Sequence, residues 1–124
     1  MFRIDTNGNI LVNRGDTFIT PLFLDKSKSF TEIKRFRLRA GDILFFGVME
    51  ANVPFEEGLI RKAYAVADEN SFGDIVVTFN SDDTRELLPG TYFYEAKLYR
   101  PAIESGDQDI VITVVPRRKF IIME

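Results

Sequence analysis

Apolar and polar residues alternate along most of this chain with the period of a β-strand. The clearest case is the segment 91–99, where Tyr92, Tyr94, Ala96 and Leu98 fall on one side of an extended chain. The segments that this pattern predicts as strands are 2–6, 9–13, 17–25, 33–39, 43–50, 59–67, 75–79, 91–99 and 110–122, the last broken near residues 116–118. For segment 59–67 a short helix is the alternative prediction, because its alanines fit either structure.

Glycine and asparagine mark the turns between these segments. Asn7-Gly8 suits a type I′ turn, so we predict an N-terminal hairpin over residues 1–13 with Ile4 near Leu11. Polar connectors separate the later segments at intervals of about 8–12 residues, a spacing typical of β-sandwiches and barrels. Segment 52–58 is one such connector, with room for a single helical turn.

Proline and glycine inside the predicted strands indicate where those strands lie in a sheet. Pro21 lacks an amide proton, so its strand is expected at a sheet edge or with a bulge. Gly47 lies in a nearly continuous apolar segment, which predicts a central strand with either a bulge or close packing at that position. The segment 81–87 predicts a short helix capped by Ser81 or Asp82.

The order of these elements predicts the fold class. A short helix followed by Gly90-x-Tyr92 is typical of the corner between strands E and F of immunoglobulin-like domains. We predict an all-β fold, an immunoglobulin-like antiparallel β-sandwich with one short helix before the penultimate strand, formed as a single domain by residues 1–124. The aromatic residues assigned to its core are Phe36, Phe45, Phe46, Phe79, Tyr92 and Phe120.

Composition excludes several kinds of chemistry. The chain has 124 residues, a formal net charge of -3, and neither cysteine nor histidine. Disulfides, thiolate nucleophiles, imidazole bases and the usual zinc sites are therefore excluded. The mild acidity argues against nucleic acid as a partner, and no apolar segment predicts a membrane span or a signal peptide. Because it begins with methionine, we expect a complete product made in the cytoplasm.

Carboxylates are the remaining candidates for catalysis or metal binding. The adjacent or near-adjacent pairs are Glu56 with Glu57, Asp82 with Asp83, and Asp107 with Asp109. Glycoside hydrolysis needs two carboxyl groups facing each other across a cleft, and a calcium loop needs three or more spaced oxygen ligands. Neither pattern is present in the sequence, so we predict no enzyme activity, no cofactor and no metal.

Basic and aromatic residues on strand faces are the candidates for an interaction surface. The residues that form this candidate patch are Arg35, Arg37, Arg39, Arg117, Arg118, Lys119, Phe93 and Tyr99. The basic residues suit an acidic protein, a phosphate or an acidic glycan, but the favoured interpretation is a solvated strand face that charge protects from aggregation. Phe93 and Tyr99 lie opposite the predicted core face and are the candidates for an exposed contact.

Several blocks of sequence resemble a known group of proteins. The blocks are Arg14-Gly15-Asp16-Thr17, the pattern LLPG-x-Y-x-Y-x-x-K-L at 87–98, and TVVP at 113–116. From about residue 13 onward the chain resembles small immunoglobulin-like β-sandwich proteins of tailed phages and prophages of Firmicutes, similar to the N-terminal domain of phage baseplate upper proteins.

This resemblance implies a function through protein contacts. It implies a virion structural protein of the baseplate, tail, neck or head, made in the bacterial host cytoplasm, which docks onto other virion proteins and forms a homo-oligomer in the assembly. The hairpin 1–13 and the strand that contains Pro116 are the predicted docking elements, and deletion of 1–13 is expected to weaken assembly while preserving the fold. The alternatives are a carbohydrate-binding module, a carboxylate enzyme and a surface adhesin.

Overall fold

The protein is described by a computed structural model that covers residues 2–5, 7–22, 38, 40–69, 75–102, 106 and 108–124. Its strands are β1 (Phe2–Ile4), β2 (Ile10–Asn13), β3 (Phe18–Leu22), β4 (Ile43–Met49), β5 (Ile60–Tyr64), β6 (Ile75–Phe79), β7 (Gly90–Arg100) and β8 (Ile110–Met123). One α-helix, α1 (Ser81–Arg85), precedes β7, and short 3-10 turns lie at Phe55–Glu57 and Val66–Asp68. The prediction of an all-β chain with one short helix before the penultimate strand is therefore confirmed, whereas the predicted strand 33–39 lies mostly outside the described residues.

The strands form two sheets of unequal size. The larger sheet has six strands in the order β1-β2-β8-β7-β4-β5 and curves like half of a barrel, and the smaller contains β3 and β6. All described pairs are antiparallel except β2 with β8, which run parallel from the Ile10–Phe120 pair to the Asn13–Met123 pair. The sheets are thus rich in antiparallel pairs, as predicted, with this one parallel pair, and the sandwich arrangement stays a prediction.

Aromatic rings join the two sheets. Phe18 of β3 stacks on Phe79 of β6 with ring centroids 4.5 Å apart. Phe79 also contacts Phe46 of β4 at 5.6 Å and Phe120 of β8 at 5.5 Å. Phe46, Phe79 and Phe120 are fully buried as predicted, but Phe45 is 39% exposed. Phe45 was wrongly assigned to the core because its neighbours are also apolar, which hides the alternation along β4.

The N-terminal hairpin forms, with a different turn from the one predicted. Ile4 pairs with Ile10 rather than with Leu11. The Gly8 amide donates to the carbonyl oxygen of Asp5 at 3.0 Å, so the turn closes between Asp5 and Gly8. Gly8, with a φ of 81°, ends this turn instead of lying at its centre, as a type I′ Asn7-Gly8 turn requires. The Asp5 carboxylate organises this turn, since its Oδ1 accepts the amide protons of Asn7 and Asn9, each at 2.9 Å.

The hairpin is built into the core instead of standing apart from it. Ile10 and Val12 of β2 are 1% and 0% exposed. The Tyr94 hydroxyl donates a hydrogen bond to the carbonyl oxygen of Gly8, and the amide of Lys119 donates to Asn9 Oδ1. Deletion of residues 1–13 would remove the two buried side chains of Ile10 and Val12, so the structure predicts that this deletion destabilises the fold.

The helix α1 is tied to both sheets. Its N-cap is Asn80, not Ser81 or Asp82 as predicted, because the chain is still extended at Asn80. The Asp83 carboxylate accepts the amide proton of Asn80 at 2.8 Å and the Lys62 ammonium at 3.0 Å. A helix of five residues is too short to be stable by itself, so these contacts position the corner before β7.

Local predictions for the other strands are largely confirmed. β3 has β6 as its only partner among the described strands, in agreement with the edge position indicated by Pro21. The segment 59–67 is a strand up to Tyr64, so the helical alternative was wrong. β8 is continuous, and the predicted break near Pro116 is instead a pair of register shifts opposite Ala96 of β7.

A buried ion pair links β7 to the turn before β4. Arg100 donates from Nε to Asp42 Oδ1 and from Nη2 to Asp42 Oδ2, both at 2.8 Å. Asp42 is 2% exposed, and its carboxylate raises the pKa of Arg100 above the ordinary value. Such a pair is costly to break because removal of one partner leaves a buried charge behind.

We expect Arg100→Ala to lower the free energy of unfolding by about 3–5 kcal/mol, since it removes two charge-assisted hydrogen bonds from the buried Asp42. The matched control is Arg85→Ala. The Arg85 guanidinium pairs with Asp82 at an exposed position, so its loss is expected to lower the free energy of unfolding by less than about 1 kcal/mol. Urea denaturation of the three proteins measures both values. Equal losses for the two variants would contradict a special role for the Asp42–Arg100 pair.

The hairpin turn is expected to make stability depend on pH through Asp5. The hydrogen bond from the Asn9 amide lowers the pKa of Asp5 from its ordinary value in the folded chain. Hydrogen bonds from the Asn9 side chain and the Asn7 amide act in the same direction. A lowered pKa means that the ionised Asp5 carboxylate stabilises the folded chain. This contribution to the free energy of unfolding is complete at pH values above the ordinary pKa and is lost as the pH falls through the folded-state pKa. We therefore expect the difference in urea midpoint between the wild type and Asp5→Asn to shrink from pH 7 to about pH 2. A constant difference would show that the Asp5 charge does not stabilise the turn.

Candidate functional site on the outer face of the large sheet

Strand alternation gives the large sheet an inner face, which carries the phenylalanine core, and an outer face. On β4, Leu44, Phe46 and Val48 are directed inward and are at most 1% exposed. Phe45 and Gly47 are therefore directed outward. The register pairs Phe45 with Ala63 of β5 and with Lys97 of β7, so these residues share the outer face.

A groove of about 440 Å³ lies on this outer face. Phe45 forms its floor, and it extends from β5 across β4 and β7 to the start of β8. The residues that line the groove, called the outer groove below, are Phe45, Phe46, Phe55, Glu56, Arg61, Lys62, Ala63, Lys97, Leu98, Tyr99 and Val111. Its volume is in the range of pockets that hold small ligands or single anchoring side chains.

Phe55 forms one wall of the outer groove because Gly47 leaves space for it. A methyl group on Gly47 would come within 2.9 Å of Phe55 Cε2 and within 3.3 Å of Met49 Sδ. The 3-10 turn Phe55–Glu57 thus brings its ring down onto β4 where there is no side chain. Close packing at Gly47, one of the two predicted alternatives, is confirmed.

Tyr99 forms the opposite wall and is held by Asp109. Its hydroxyl donates to Asp109 Oδ2 at 2.9 Å, and Oδ1 of the same carboxylate accepts the amide proton of Ala102 at 2.8 Å. The hydrogen bond to Asp109 raises the pKa of Tyr99, and the Ala102 amide, followed by the Tyr99 hydroxyl, lowers the pKa of Asp109. The Tyr99 hydroxyl is therefore protonated at neutral pH and its ring has a fixed position.

Among the residues that line the outer groove, the cations Arg61, Lys62 and Lys97 outnumber the one carboxylate, Glu56, although the chain as a whole is acidic. The Lys97 ammonium lies 5.2 Å from the centroid of the Phe55 ring, a cation–π contact. Neither Lys97 nor Arg61 has a carboxylate within salt-bridge distance in the described part of the chain. Two positive charges beside an apolar floor favour a ligand that combines an apolar group with a negative charge.

The predicted basic cluster at 117–119 is divided between different environments. Arg117 donates to Glu95 at 3.1 Å and to the carbonyl oxygen of Val53 at 3.0 Å, so it holds the connector against the sheet. Arg118 packs its guanidinium close to Gly8, and Lys119 is exposed. A single patch of these three residues is therefore not formed, because successive residues of a strand point to opposite faces.

The remaining predicted patch residues also separate. Tyr99 lines the outer groove, whereas Phe93 is half-buried on the same face between Met49 and Lys119 in the register. Arg35, Arg37 and Arg39 lie outside the described residues. The groove residues that sequence reasoning missed are chiefly Phe45, Phe55 and Arg61.

Of the predicted carboxylate pairs, Asp82 with Asp83 has structural contacts, whereas Glu56 and Glu57 are exposed on the 3-10 turn. Asp83 binds Lys62 and the N-terminus of α1, and Asp82 pairs with Arg85 on the helix surface. No group of three or more potential metal-binding side chains occurs within the described ranges. Asp107 lies outside them. None of the helices in the described segments has the length and apolar character needed to cross a membrane.

We expect Gly47→Ala to displace the Phe55 ring and to destabilise the fold by about 1–3 kcal/mol, because the added methyl group overlaps the ring. In a Phe55→Ala background the same substitution should cost clearly less, since the overlapping ring is absent. Urea denaturation of the four proteins of this double-mutant cycle measures the coupling. Equal costs of Gly47→Ala in both backgrounds would contradict the packing of Phe55 on β4.

Comparison with known proteins gave no match. No protein-family model, no curated protein and no solved structure matches this chain. The function is therefore inferred from the geometry and charge of the outer groove, together with the sequence resemblance described above.

Proposed function

We propose that this chain is a structural protein of a phage or prophage particle and that it acts by docking onto other proteins of the particle through the outer groove. The observation that carries the proposal is the groove itself, with its aromatic walls and two cations that lack a carboxylate partner among the described residues. The assignment to a phage particle comes from the sequence blocks at 14–17, 87–98 and 113–116.

The composition of the outer groove suits a protein interface. Tyrosine, phenylalanine and arginine are enriched at the centres of protein interfaces, where they provide apolar area together with polar contacts. Phe45 is 39% exposed and Val111 is 65% exposed, so both lose water contact when a partner covers them. The walls are fixed by the Phe55–Gly47 packing and the Tyr99–Asp109 hydrogen bond, which reduces the entropy cost of binding.

Two features support the immunoglobulin-like sandwich as the finer description of the fold. The order β8-β7-β4-β5 in the large sheet corresponds to the G, F, C and C′ strands of immunoglobulin domains. The Tyr92 hydroxyl donates to the carbonyl oxygen of Leu88 at 2.7 Å, which is the contact of a tyrosine corner. In this assignment the outer groove lies on the exposed face of the GFCC′ sheet.

Carbohydrate binding is the second candidate. The rings of Phe45, Phe55 and Tyr99 surround an open groove, and aromatic faces stack on the apolar faces of sugar rings. The two cations would then favour an acidic sugar. Protein docking is preferred because the polar groups of Tyr99 and Asp109 already bond to each other, which leaves fewer partners for sugar hydroxyls.

Binding to particles separates the two candidates. Tagged wild-type chain is incubated with particles induced from the bacterial strain that carries the gene, and bound virion proteins are identified by crosslinking and mass spectrometry. We expect one defined virion protein to crosslink beside Lys97, and the double variant Arg61→Glu/Lys97→Glu to bind at least about 30-fold more weakly. The control is Ile19→Ser, which alters an exposed apolar residue on the other sheet.

A glycan array with the wild type, Phe45→Ala and Ile19→Ser tests the carbohydrate alternative. Binding of a sugar by the wild type, lost in Phe45→Ala and kept in Ile19→Ser, without any virion crosslink, would replace the docking proposal by carbohydrate binding.

A further inference from the structure

The corner between α1 and β7 exposes an apolar side chain next to an acidic one. Leu88 is 75% exposed, the highest value among the large apolar residues that the structure describes. Glu86, two residues earlier, has a side chain that is 87% exposed, with its Oε1 3.8 Å from Arg85 Nε. Because Arg85 also pairs with Asp82, these three side chains keep one net negative charge at the corner. Residues 86–89 are called the corner loop below.

The corner loop has a fixed conformation. The Tyr92 hydroxyl holds the carbonyl oxygen of Leu88, and the amide of Leu87 donates to the carbonyl oxygen of Thr84 at 3.0 Å. Thr84 is fully buried, and its hydroxyl accepts the amide proton of Gly15 at 2.8 Å. The exposed Leu88 side chain is thus presented on rigid backbone, which is the condition for an efficient anchor residue.

The corner loop and the outer groove lie at opposite ends of β7. Leu88 immediately precedes the start of this strand at Gly90, while Lys97 and Tyr99 are near its end. At about 3.4 Å per residue, Leu88 and Tyr99 are separated by more than 30 Å along the strand. The corner loop of one chain is therefore too far from its own groove to enter it.

We propose that the outer groove of one copy receives the corner loop of a second copy, in a head-to-tail contact. Leu88 covers the exposed ring of Phe45, and the Glu86 carboxylate lies between the guanidinium of Arg61 and the ammonium of Lys97. The corner loop thus provides an apolar group for the ring of Phe45 and a negative charge for Arg61 and Lys97. Glu56 also lines the groove but lies beyond salt-bridge distance of both cations in the described part of the chain. This inference rests on the proposed function, because it takes the groove as a docking surface and names its partner.

A contact between two different surfaces of the same chain is heterologous. Each copy keeps one free groove and one free corner loop, so the contact repeats and produces a ring or a filament, depending on the rotation between neighbours. The contact includes exposed charges, so it should weaken as the salt concentration rises.

Sedimentation velocity with two complementary variants tests this arrangement. Leu88→Asp removes the apolar anchor of the corner loop and leaves the outer groove intact. Arg61→Glu/Lys97→Glu reverses two charges in the outer groove and leaves the corner loop intact. We expect the wild type to form assemblies larger than dimers and each variant alone to be monomeric. An equimolar mixture should form heterodimers and nothing larger, because only one intact contact is available for each pair.

The mixture also controls for folding, because a misfolded variant could not provide its intact half of the contact. Ile19→Asp is the matched control for an exposed apolar residue and should assemble like the wild type. Self-association of Leu88→Asp at wild-type strength would overturn the inference, since the groove would then bind something other than the corner loop. A monomeric wild type would also overturn it, and particle crosslinking at Lys97 would in that case still support the proposed function.

Discussion

The packing of Phe18 and Phe79 against Phe46 and Phe120 is the contact on which the fold depends. A two-stranded sheet such as β3 with β6 is at best marginally stable in water. It becomes part of the structure because its two aromatic rings are buried against rings from β4 and β8. The same burial fixes which face of the large sheet is inner, and it thereby determines which residues remain for the outer groove.

The outer groove follows from this constraint in two steps. Inward side chains of β4 and β7 are committed to the core, so the alternate positions Phe45, Lys97 and Tyr99 are directed to the outside. The connector between β4 and β5 then adds Phe55, which fits because Gly47 has no side chain. The groove therefore combines residues whose placement is dictated by strand alternation with one whose placement depends on a single glycine.

Sequence patterns predicted the elements that depend on local information. The alternation in β6 and β7, the short helix before β7 and the N-terminal hairpin were all evident from period and turn residues. The parallel pairing of β2 with β8 was not, because nothing local in Ile10–Asn13 specifies a partner more than one hundred residues away. Phe45 was misassigned since every neighbour in 43–46 is apolar, and Phe55 was missed because a connector gives no periodic signal.

The parallel pairing of β2 with β8 has a consequence for how the chain folds during synthesis. Ile10 and Val12 are synthesised more than one hundred residues before their partners Phe120 and Ile122. Pairings of such high sequence separation are slow because the closure entropy is lost before the contacts form. β2 therefore has one unpaired edge while the intervening residues are synthesised, which leaves that edge open to pairing with other nascent chains.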